Sequence, residues 1–336
     1  MSSYAAAHAD PQGPGDARPT ALQIIQAQNL EGKLKGKVIV ITGTSSGIGI
    51  ETARALSKTG ATLFLTARNL TKARHTLSDI LDTPGADIKL VEMKNDSLKS
   101  VRVAASNILT QSNHQVNILI NNAGVMAIPS LQLTSDGYEM QFAVNHLSHF
   151  FLFQLLKPAL LSSVTPSMCS RVVNVASSGH RMPSGPFNYT FKDGSYNPWI
   201  AYAQSKVANI YMANEIDRRY GSQGLHAMSL HPGAVGDTSL GVHMDPEMVA
   251  AFTSDAASVK KLKNSQQGAA TTIVAAVGEE WENKGGKYLV DCEEATKGMD
   301  DGDISGIGYV SHTYSPEKEA QLWKDSLEMV ELKDDL

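Results

Sequence analysis

The chain has 336 residues, of which 42% are hydrophobic, and a net charge of −5 with acidic and basic residues interspersed. A chain of this length can bury a substantial core, as one large α/β domain or as two smaller ones. The charge pattern offers neither a basic stripe for nucleic acid nor a polybasic segment for anionic lipid, so we expect a small-molecule partner.

The first 20 residues are rich in Ala, Gly, Pro and Asp and are predicted to form a disordered leader. They lack an apolar segment after a basic start, which argues against a secretory signal. No run of ~18 or more apolar residues occurs, which argues against a membrane span. Cys169 and Cys292 have neither a disulfide framework nor metal-ligand spacing. These features predict a cytoplasmic protein without a bound metal.

Short apolar runs alternate with helix-length segments from residue 21 onward. A short amphipathic helix is predicted from Ala21, and the β-branched run Lys37–Thr42 predicts a buried strand that ends at glycines. Further strands are predicted at Thr62–Thr66, Ile88–Met93, Val116–Asn121, Arg171–Ala176, Leu225–Leu230 and Lys287–Val290. This alternation predicts an α/β fold of the Rossmann type in a single domain, residues 21–336. We expect a doubly wound parallel sheet of about seven strands with helices on both faces.

Two segments interrupt the alternation. Residues 179–199 are rich in Pro, Gly and aromatic residues, and residues 238–267 contain Met and Ser with weak helical character. Both follow the carboxyl ends of predicted strands, where open α/β sheets bind ligands, so both are candidate lids of a substrate pocket. The alternative is that they are surface insertions without a special role.

The first predicted strand runs into a glycine-rich turn, Thr42–Gly49. Such a turn directs backbone N–H groups and the positive end of a helix dipole at a pyrophosphate, and the missing side chains allow close approach. The spacing G-x-x-x-G-x-G is one residue longer than the G-x-G-x-x-G fingerprint, and the alternative is a tight turn without a ligand. The candidate cofactor-binding residues are Gly43, Ser45, Ser46, Gly47, Ile48 and Gly49.

The second predicted strand is followed by Ala67 and Arg68. In NAD sites an acidic residue about 20 positions beyond the glycines accepts hydrogen bonds from the adenosine ribose. Arg68 stands where that carboxylate would repel a 2′-phosphate, and its guanidinium can bind the phosphate bidentately. We therefore predict NADP(H) as the cofactor. The alternative is that Arg68 is a solvated charge at a strand end.

Tyr202 and Lys206 are spaced i, i+4 in a predicted helix, Ala201–Arg219, which places both on one helix face. A phenol is a poor base at neutral pH unless a nearby cation favours its ionised form. Lys206 supplies that cation, so Tyr202 can exchange a proton with an alcohol or carbonyl oxygen. Tyr314 and Lys318 repeat the spacing with a proline between them, and we interpret that copy as chance.

Ser177 follows the fifth predicted strand and is the candidate hydrogen-bond donor to the same oxygen, with Ser178 as the alternative. A phosphate cradle followed by a hydroxyl, a phenol and an ammonium is what hydride transfer between a nicotinamide and an alcohol or carbonyl requires. The residues alone therefore predict an oxidoreductase.

The same residues resemble the short-chain dehydrogenases/reductases, and within them the retinol-dehydrogenase and WW-domain-oxidoreductase-like group. The resemblance extends over Leu30–Val290. Its motifs are Thr42-Gly43-x-x-x-Gly47-Ile48-Gly49, Asn121-Asn122-Ala123-Gly124, Val144-Asn145-His146-Leu147, Arg171-Val-Val-Asn-Val-Ala-Ser177-Ser178, Tyr202-Ala-Gln-Ser-Lys206 and His231-Pro232-Gly233. Together and in this order they are highly specific.

The resemblance implies a catalytic set of Asn, Ser, Tyr and Lys. In that picture Lys206 also holds the nicotinamide ribose, and Asn145 anchors a water that relays protons from Lys206 to solvent. The implied catalytic residues are Asn145, Ser177, Tyr202 and Lys206. The implied cofactor contacts are Asn122, Ala123 and Gly124 along the adenine ribose, and Pro232, Gly233 and Val235 below the nicotinamide carboxamide.

Two positions depart from the family pattern. Where the family usually has an Asp that contacts adenine, this chain has Lys94, with Asp96 two residues on as the candidate contact. After the Pro-Gly pair that follows the sixth strand, the family commonly has a Thr. By spacing Asp237 takes that place, and a one-residue insertion gives it to Thr238.

The expected substrate is a small, largely apolar alcohol, aldehyde or ketone. Its candidate contacts are Met126, His180, Met182, Phe187, Tyr189 and Trp199. His146 and His149 lie on one helix without a third ligand at suitable spacing, so packing is favoured over metal binding. The alternative functions are an NADP(H)-binding sensor or scaffold without turnover and a non-redox isomerase, dehydratase or cyclase. The resemblance also implies a homodimer or homotetramer, paired through helices that begin near Leu131 and Ser205.

Overall fold

A computed structural model describes residues 4–183 and 185–335 and contains an eight-stranded sheet. The strands are β1 Val38–Thr42, β2 Thr62–Ala67, β3 Ile88–Glu92, β4 Ile118–Asn121, β5 Ser170–Val175, β6 Leu225–His231, β7 Lys287–Val290 and β8 Glu293–Glu294. Their order across the sheet is β3-β2-β1-β4-β5-β6-β7-β8, and β1 to β7 run parallel. The predicted doubly wound α/β fold is confirmed.

The sheet has one strand more than the sequence predicts. The additional strand, β8, consists of two glutamates and pairs antiparallel with β7. The chain reverses between them at Asp291 and Cys292, which have φ values of 54° and 65°. Two polar residues do not make an apolar run, so the pattern that located the other strands is missing here.

The helices lie before, between and after the strands. They are α1 Ala5–His8, α2 Ala21–Ala27, α3 Ile48–Ser57, α4 Leu70–Thr76, α5 Ser78–Leu81, α6 Leu98–Gln111, α7 Met140–Phe142, α8 Ser148–Ser162, α9 Pro198–Tyr220, α10 Pro246–Ser254, α11 Ala256–Lys261, α12 Ser265–Gly268, α13 Ala270–Val277 and α14 Pro316–Met329. A π-helical turn, Ala143–Leu147, joins α7 to α8, and a 3₁₀ turn, Ser178–Arg181, follows β5.

Both faces of the sheet are covered. Val40 of β1 belongs to the core beneath α6, α8, α9 and α14, whereas Ile39 and Ile41 belong to the core beneath α2, α3 and α13. Because successive side chains point to opposite faces and both are buried, the strands are nearly continuous apolar runs. The strand order reverses between β1 and β4, so the carboxyl ends of these strands form the crevice where such sheets bind ligands.

Residues 4–20, which the sequence predicts to be a disordered leader, are packed in the structure. Thr20 caps α2 through a reciprocal pair of hydrogen bonds with Gln23. Arg18 is only 4% exposed, and its guanidinium donates to the carbonyl oxygens of Lys261 and Leu262. These contacts are polar and join residues distant in the chain, so the composition of the segment gives no sign of them.

Helix α14 packs on α8 and α9. Its Trp323 is buried, with the ring centroid 5.0 Å from that of Phe150 and 6.0 Å from that of Phe153. Nδ2 of Asn214 on α9 donates to Glu319 of α14 at 2.8 Å. The chain therefore covers this face of the two helices with its own apolar and polar side chains.

The helices expected to pair two subunits are placed differently from the prediction. The helical stretches begin at Met140 and Pro198, not near Leu131 and Ser205. Leu131 lies in a loop ahead of α7, and Ser205 lies inside α9. A partner subunit that approached α8 and α9 would meet α14 on the face described above.

Candidate active site

Tyr202 and Lys206 lie near the start of α9. This helix begins at Pro198 because the Asn197 side chain accepts hydrogen bonds from two N–H groups of the first turn, where proline is also favoured. Tyr202 and Lys206 are each 3% exposed, and Nζ of Lys206 lies 5.5 Å from the centre of the Tyr202 ring. The structure thus brings the two predicted residues together in a buried site.

Ser177 follows β5 and caps the 3₁₀ turn. Its Oγ accepts a hydrogen bond from the N–H of Gly179 at 3.0 Å, which leaves its own proton for another acceptor. A hydrogen bond from Ser177 opposes the rise in the pKa of Tyr202. Ser177 rather than Ser178 is therefore the serine that contacts the phenol. The N–H of Ser178 donates instead to Nδ1 of His231 at 3.2 Å.

Gly179 is a site residue that the sequence interpretation missed. A Cβ at this position would lie 2.9 Å from Cε1 of Tyr202 and 3.4 Å from Oγ of Ser177. Any side chain here would separate the phenol from the serine. The signal that identifies Gly179 in the sequence is its position two residues after a strand-end serine, where a turn must leave room for a neighbouring ring.

Burial determines the electrostatics of the pair. It raises the pKa of Tyr202 to about 12 and lowers the pKa of Lys206 to about 8. Nζ of Lys206 donates to the carbonyl oxygen of Val175 at 3.1 Å. At neutral pH Tyr202 is therefore protonated, the state that donates a proton to a carbonyl oxygen.

Asn145 lies in the π-helical turn between α7 and α8, a local distortion that is frequent at functional sites. Its Nδ2 donates to the carbonyl of Val125 and to Oγ of Ser205, both at 2.9 Å. Its Oδ1 accepts from the N–H of Val125 at 2.8 Å. A Cβ on Gly124 would lie 3.3 Å from Oδ1 of Asn145 and 3.5 Å from Nζ of Lys206. Asn145 thus ties the segment after β4 to α9, directly beside the lysine.

The glycine turn between β1 and α3 has the shape of a phosphate cradle. Gly43 and Gly47 have φ values of +72° and +60°, which favour glycine. A Cβ on Gly43 would lie 2.7 Å from Cα of Ala123, and one on Gly49 would lie 2.3 Å from the carbonyl oxygen of Gly43. The first N–H groups of α3 have no acceptor within the helix. A side-chain-free turn at a helix N-terminus fits the pyrophosphate of a dinucleotide.

The remaining predicted residues of the turn are in place. Ser45 and Ser46 lie in the turn itself, and Ile48 is the first residue of α3. Asn122 supports the turn from β4, since its Nδ2 donates to the carbonyl of Thr42 at 2.8 Å. The N–H groups of Asn122 and of the next residue donate to Oγ1 of Thr42 at 2.9 and 3.0 Å.

Pro232, Gly233 and Val235 form the loop after β6, at the same edge of the sheet as the glycine turn. A Cβ on Gly268 would lie 2.6 Å from Cγ2 of Val235 and 2.9 Å from Cγ2 of Ile48. Val235 and Ile48 therefore approach each other through the space that Gly268 leaves. This contact places the loop next to the start of α3.

Thr238 lies beside the glycine turn. A Cβ on Gly47 would lie 3.4 Å from Cβ and Cγ2 of Thr238. The carboxylate of Asp237 instead accepts a hydrogen bond from Ser265 at 3.2 Å. This arrangement supports the one-residue insertion and Thr238 as the candidate contact.

Arg68 and Asp96 lie at the carboxyl ends of neighbouring strands. Arg68 is exposed after β2, and Asp96 is half-buried after β3. Lys94 is exposed, with Nζ 3.8 Å from the carboxylate of Glu92. Because β1, β2 and β3 are parallel and in register, these residues share the edge that carries the glycine turn. Their contacts with a dinucleotide stay predictions.

Three of the predicted substrate contacts lie near the catalytic pair or at the same edge. The Trp199 ring is perpendicular to the Tyr202 ring, with centroids 6.5 Å apart. Met126 and Met182 are half-buried, one in the loop after β4 and the other just after the 3₁₀ turn. These three side chains remain candidates for an apolar pocket wall.

Two more of the predicted contacts, Phe187 and Tyr189, lie against the core beneath α14. The Tyr189 ring lies 4.9 Å from that of Phe142, and its hydroxyl donates to Asp325 of α14 at 2.5 Å. Phe187 stacks on Tyr189 at 6.0 Å. Both are partly buried and pack against the core beneath α14. Their role as substrate contacts stays a prediction.

His180 supports the serine turn through its Nδ1, and its role as a substrate contact stays a prediction. It is fully buried, with Nδ1 2.6 Å from the carbonyl oxygen of Ser177 and 3.2 Å from the hydroxyl of Tyr288. Nε2 of His312 lies 2.9 Å from the carbonyl oxygen of His180. These contacts fix the turn that presents Ser177.

His146 and His149 are buried packing residues. Nε2 of His146 lies 3.1 Å from Oγ of Ser326 on α14. Nδ1 of His149 lies 2.9 Å from the carbonyl oxygen of Asn145, and its Nε2 lies 2.8 Å from Oγ1 of Thr42.

Over residues 4–183 and 185–335, no group of three His, Cys, Asp or Glu side chains could hold a metal ion. In the same part of the chain, no helix is both long and apolar enough to cross a bilayer.

The fold and the site define a class of protein. A doubly wound sheet carries a dinucleotide cradle at its switch point, and a buried Ser-Tyr-Lys group follows two strands further along the same edge. This combination is that of a nicotinamide-dependent α/β oxidoreductase.

Comparison with known proteins gives the family. The short chain dehydrogenase family profile matches residues 37–248. The chain is 48% identical over 331 residues to the short-chain dehydrogenase/reductase prx1 of Penicillium roqueforti, which covers 98% of this chain and 96% of the relative. It is 37% identical over 266 residues to human retinol dehydrogenase 11, covering 78% and 80% of the two chains. A crystal structure of an uncharacterised Mycobacterium paratuberculosis protein is 28% identical, with a TM-score of 0.66 over 92% of this chain and 98% of that one. The chain belongs to the short-chain dehydrogenases/reductases, in the retinol-dehydrogenase-like group.

The buried ammonium of Lys206 leads to a prediction about stability. Its pKa is about 8 in the folded protein and near 10.5 when the chain is unfolded, so below pH 8 the folded state carries the full cost of burying the charge. As the pH rises from 8 to 10.5 that cost is relieved. We expect Lys206→Met, without dinucleotide, to be more stable than the wild type at pH 7 by about 2 kcal/mol, after allowing for the lost hydrogen bond to Val175.

Thermal unfolding followed by circular dichroism at pH 7 and at pH 9.5 checks this, and the advantage of Lys206→Met should shrink at the higher pH. Lys157→Met is the matched control, because this buried lysine is paired with Asp335 and its loss should destabilise the protein. A Lys206→Met variant that is less stable than the wild type at pH 7 contradicts the prediction.

Proposed function

We propose that the protein is an NADP(H)-dependent oxidoreductase that interconverts an alcohol and a carbonyl group on a small, largely apolar organic substrate. The observation that carries the proposal is the buried contact of Ser177, Tyr202 and Lys206 at the edge of the sheet that holds the glycine turn. Similarity to a retinol dehydrogenase supports an apolar alcohol or carbonyl compound as substrate. Similarity to the family supports a nicotinamide cofactor.

The nicotinamide ring, when bound, supplies or accepts the hydride. In the direction of reduction, Tyr202 donates its phenolic proton to the carbonyl oxygen as negative charge develops there. Ser177, whose Oγ is oriented by the N–H of Gly179, donates a hydrogen bond to the same oxygen. The ammonium of Lys206 stabilises the phenolate that remains. Asn145 keeps the segment after β4 against α9, so the lysine stays in place.

The two alternative functions, a sensor without turnover and a non-redox enzyme, predict different experimental results. A sensor that only binds NADP(H) has no use for a phenol and a lysine buried together, and burying an ammonium without a role is unfavourable. A non-redox reaction could use the same residues, and it would give a product at the oxidation level of its substrate with no net consumption of cofactor. The buried pair favours turnover, and the analysis of products separates the two kinds of turnover.

Removal of the Tyr202 hydroxyl tests the proposed proton donor. We expect NADPH oxidation, followed at the nicotinamide absorbance, with at least one member of a panel of apolar aldehydes, ketones and quinones. Tyr202→Phe should lower kcat by about 100-fold or more, the usual contribution of general acid catalysis. Tyr220→Phe is the matched control, because its hydroxyl lies on the same helix and donates to Asp335 at 3.1 Å, outside the site.

Full activity in Tyr202→Phe would exclude Tyr202 as the proton donor. Tight NADPH binding without oxidation of the cofactor by any compound of the panel would favour the sensor or the non-redox alternative.

Reversal of the charge at Arg68 tests the preference for NADP(H). We expect Arg68→Asp to lower the ratio of kcat/KM for NADPH to that for NADH by about 100-fold. The substitution replaces a guanidinium that binds the 2′-phosphate with a carboxylate that repels it. Arg74→Gln, an exposed arginine in the last turn of α4, is the control and should leave the ratio unchanged. An unchanged ratio in Arg68→Asp would make Arg68 a solvated surface charge.

We also propose that the protein is a monomer in solution, in contrast to the homodimer or homotetramer that the resemblance implies. Helix α14 gives α8 and α9 the apolar contacts that a partner subunit would otherwise supply, chiefly through Trp323. Sedimentation velocity at micromolar concentration should give the mass of one chain. The mass of two or four chains would show that another surface forms an oligomer.

A cytoplasmic, reducing location stays a prediction, with which the two free, buried cysteines are compatible.

A further inference from the structure

A buried arginine in the N-terminal segment holds the end of the second lid segment. The side chain of Arg18 is 3% exposed and pairs with Asp16, its Nε lying 2.8 Å from the carboxylate. Its guanidinium donates to the carbonyl oxygens of Lys261 at 2.9 Å and Leu262 at 2.5 Å. These carbonyls lie at the end of α11, where helical carbonyls lack partners. Arg18 therefore caps α11 with a charge that the helix dipole favours.

Gln267 makes a second connection between the same two segments. Its Oε1 accepts from the N–H of Gly15 at 2.9 Å. Its Nε2 donates to the carboxylate of Asp16 at 3.0 Å and to the carbonyl of Arg18 at 3.1 Å. The side chain of Gln267 is buried, so these hydrogen bonds are protected from water.

The segment held by Arg18 and Gln267 carries the loop after β6. The N–H of Lys263 donates to the carbonyl of Ala234 at 2.8 Å, and the N–H of Gly236 donates to the carbonyl of Lys263 at 3.1 Å. A Cβ on Gly233 would lie 2.8 Å from Cδ of Lys263, whose Nζ is fixed 2.6 Å from Asp291. The loop proposed to lie below the nicotinamide therefore rests on residues 262–268, and these rest on residues 13–18.

Between these two anchors lie residues 238–261 of the second lid segment, and most of their described side chains are exposed. Val242 is 72% exposed and Val249 is 40% exposed. Thr238 begins the lid beside Gly47, and Lys261 ends it at the guanidinium of Arg18. Segments with little buried surface open at low free energy unless their ends are fixed. The position of the loop after β6 thus depends on the arginine at the far end of the lid.

We propose that Arg18 is a positioning residue for dinucleotide binding, which rests on the proposed function. It acts by holding residues 262–268 against the loop Pro232–Thr238, and it does not contact the reacting atoms. Loss of the guanidinium loosens this loop and weakens the affinity for NADPH. Once the dinucleotide is bound, the Ser177, Tyr202 and Lys206 group is unchanged, so kcat at saturation changes little.

The experiment measures NADPH affinity by titration calorimetry for the wild type, Arg18→Lys and Arg18→Ala. We expect Kd to rise about tenfold for Arg18→Lys, which keeps the charge but loses the fork, and further for Arg18→Ala. Hydrogen exchange in the absence of dinucleotide should become faster in residues 232–238 and 262–268. Arg171→Lys is the matched control. The buried guanidinium of Arg171 donates to the carbonyl of Gly278 at 2.9 Å, at the amino ends of the strands and away from the glycine turn.

A merely structural role would lower the melting temperature of the Arg18 and Arg171 variants alike and leave both Kd values within about twofold of the wild type. Wild-type Kd and wild-type exchange in Arg18→Lys would overturn the inference while leaving the proposed function intact. A wild-type protein that binds neither NADPH nor NADH would overturn the proposed function itself. If Arg18→Ala does not fold, Arg18→Lys alone decides.

Discussion

The site depends on burying one ammonium group at the carboxyl end of β5. Lys206 is charged at neutral pH although burial lowers its pKa to about 8, and its fixed neighbour is the carbonyl of Val175. That carbonyl also accepts from Nδ2 of Asn209 at 3.1 Å. The burial of the surrounding sheet and helices outweighs this cost, and the close-packed interior holds the ammonium in one position. A cation in a dry pocket acts on the phenol of Tyr202 much more strongly than it would in water.

A chain of buried polar contacts runs from Asn145, which lies beside Lys206, to the glycine turn. Asn145 presents its backbone carbonyl to Nδ1 of His149, whose Nε2 contacts Oγ1 of Thr42. Oγ1 of Thr42 accepts from two N–H groups after β4, so it donates its proton to the histidine. Burial lowers the pKa of His149 to about 4 and keeps it neutral. A network of buried, satisfied polar groups holds the turn and α9 in one relative position.

The sequence predicts those parts of the molecule that leave a local pattern in the chain, and it does not predict those that depend on tertiary contacts. The buried strands are apolar runs, and the cradle needs glycines at fixed spacing, so both are visible in the chain. Tyr202 and Lys206 are visible because a helix places i and i+4 together. Phe187, Tyr189 and α14 leave no such signal, since only the folded chain shows that Trp323 and Asp325 meet them at one core. Gly179 likewise becomes a site residue only through the ring opposite it.

Two loops, one at the end of α11 and one at residues 299–307, are held by buried arginines through backbone carbonyls. Arg18 fixes the end of α11, and Arg181, next to the serine turn, donates to the carbonyls of Met299 at 2.9 Å and Ile307 at 2.8 Å. A guanidinium that binds carbonyls positions a loop without specifying its side chains, so those side chains are free to face outward. Met299 and Ile307 are 75% and 81% exposed. The structure thus combines a glycine turn held by a buried polar network with loops whose backbone is fixed by guanidinium groups and whose apolar side chains Met299 and Ile307 face outward.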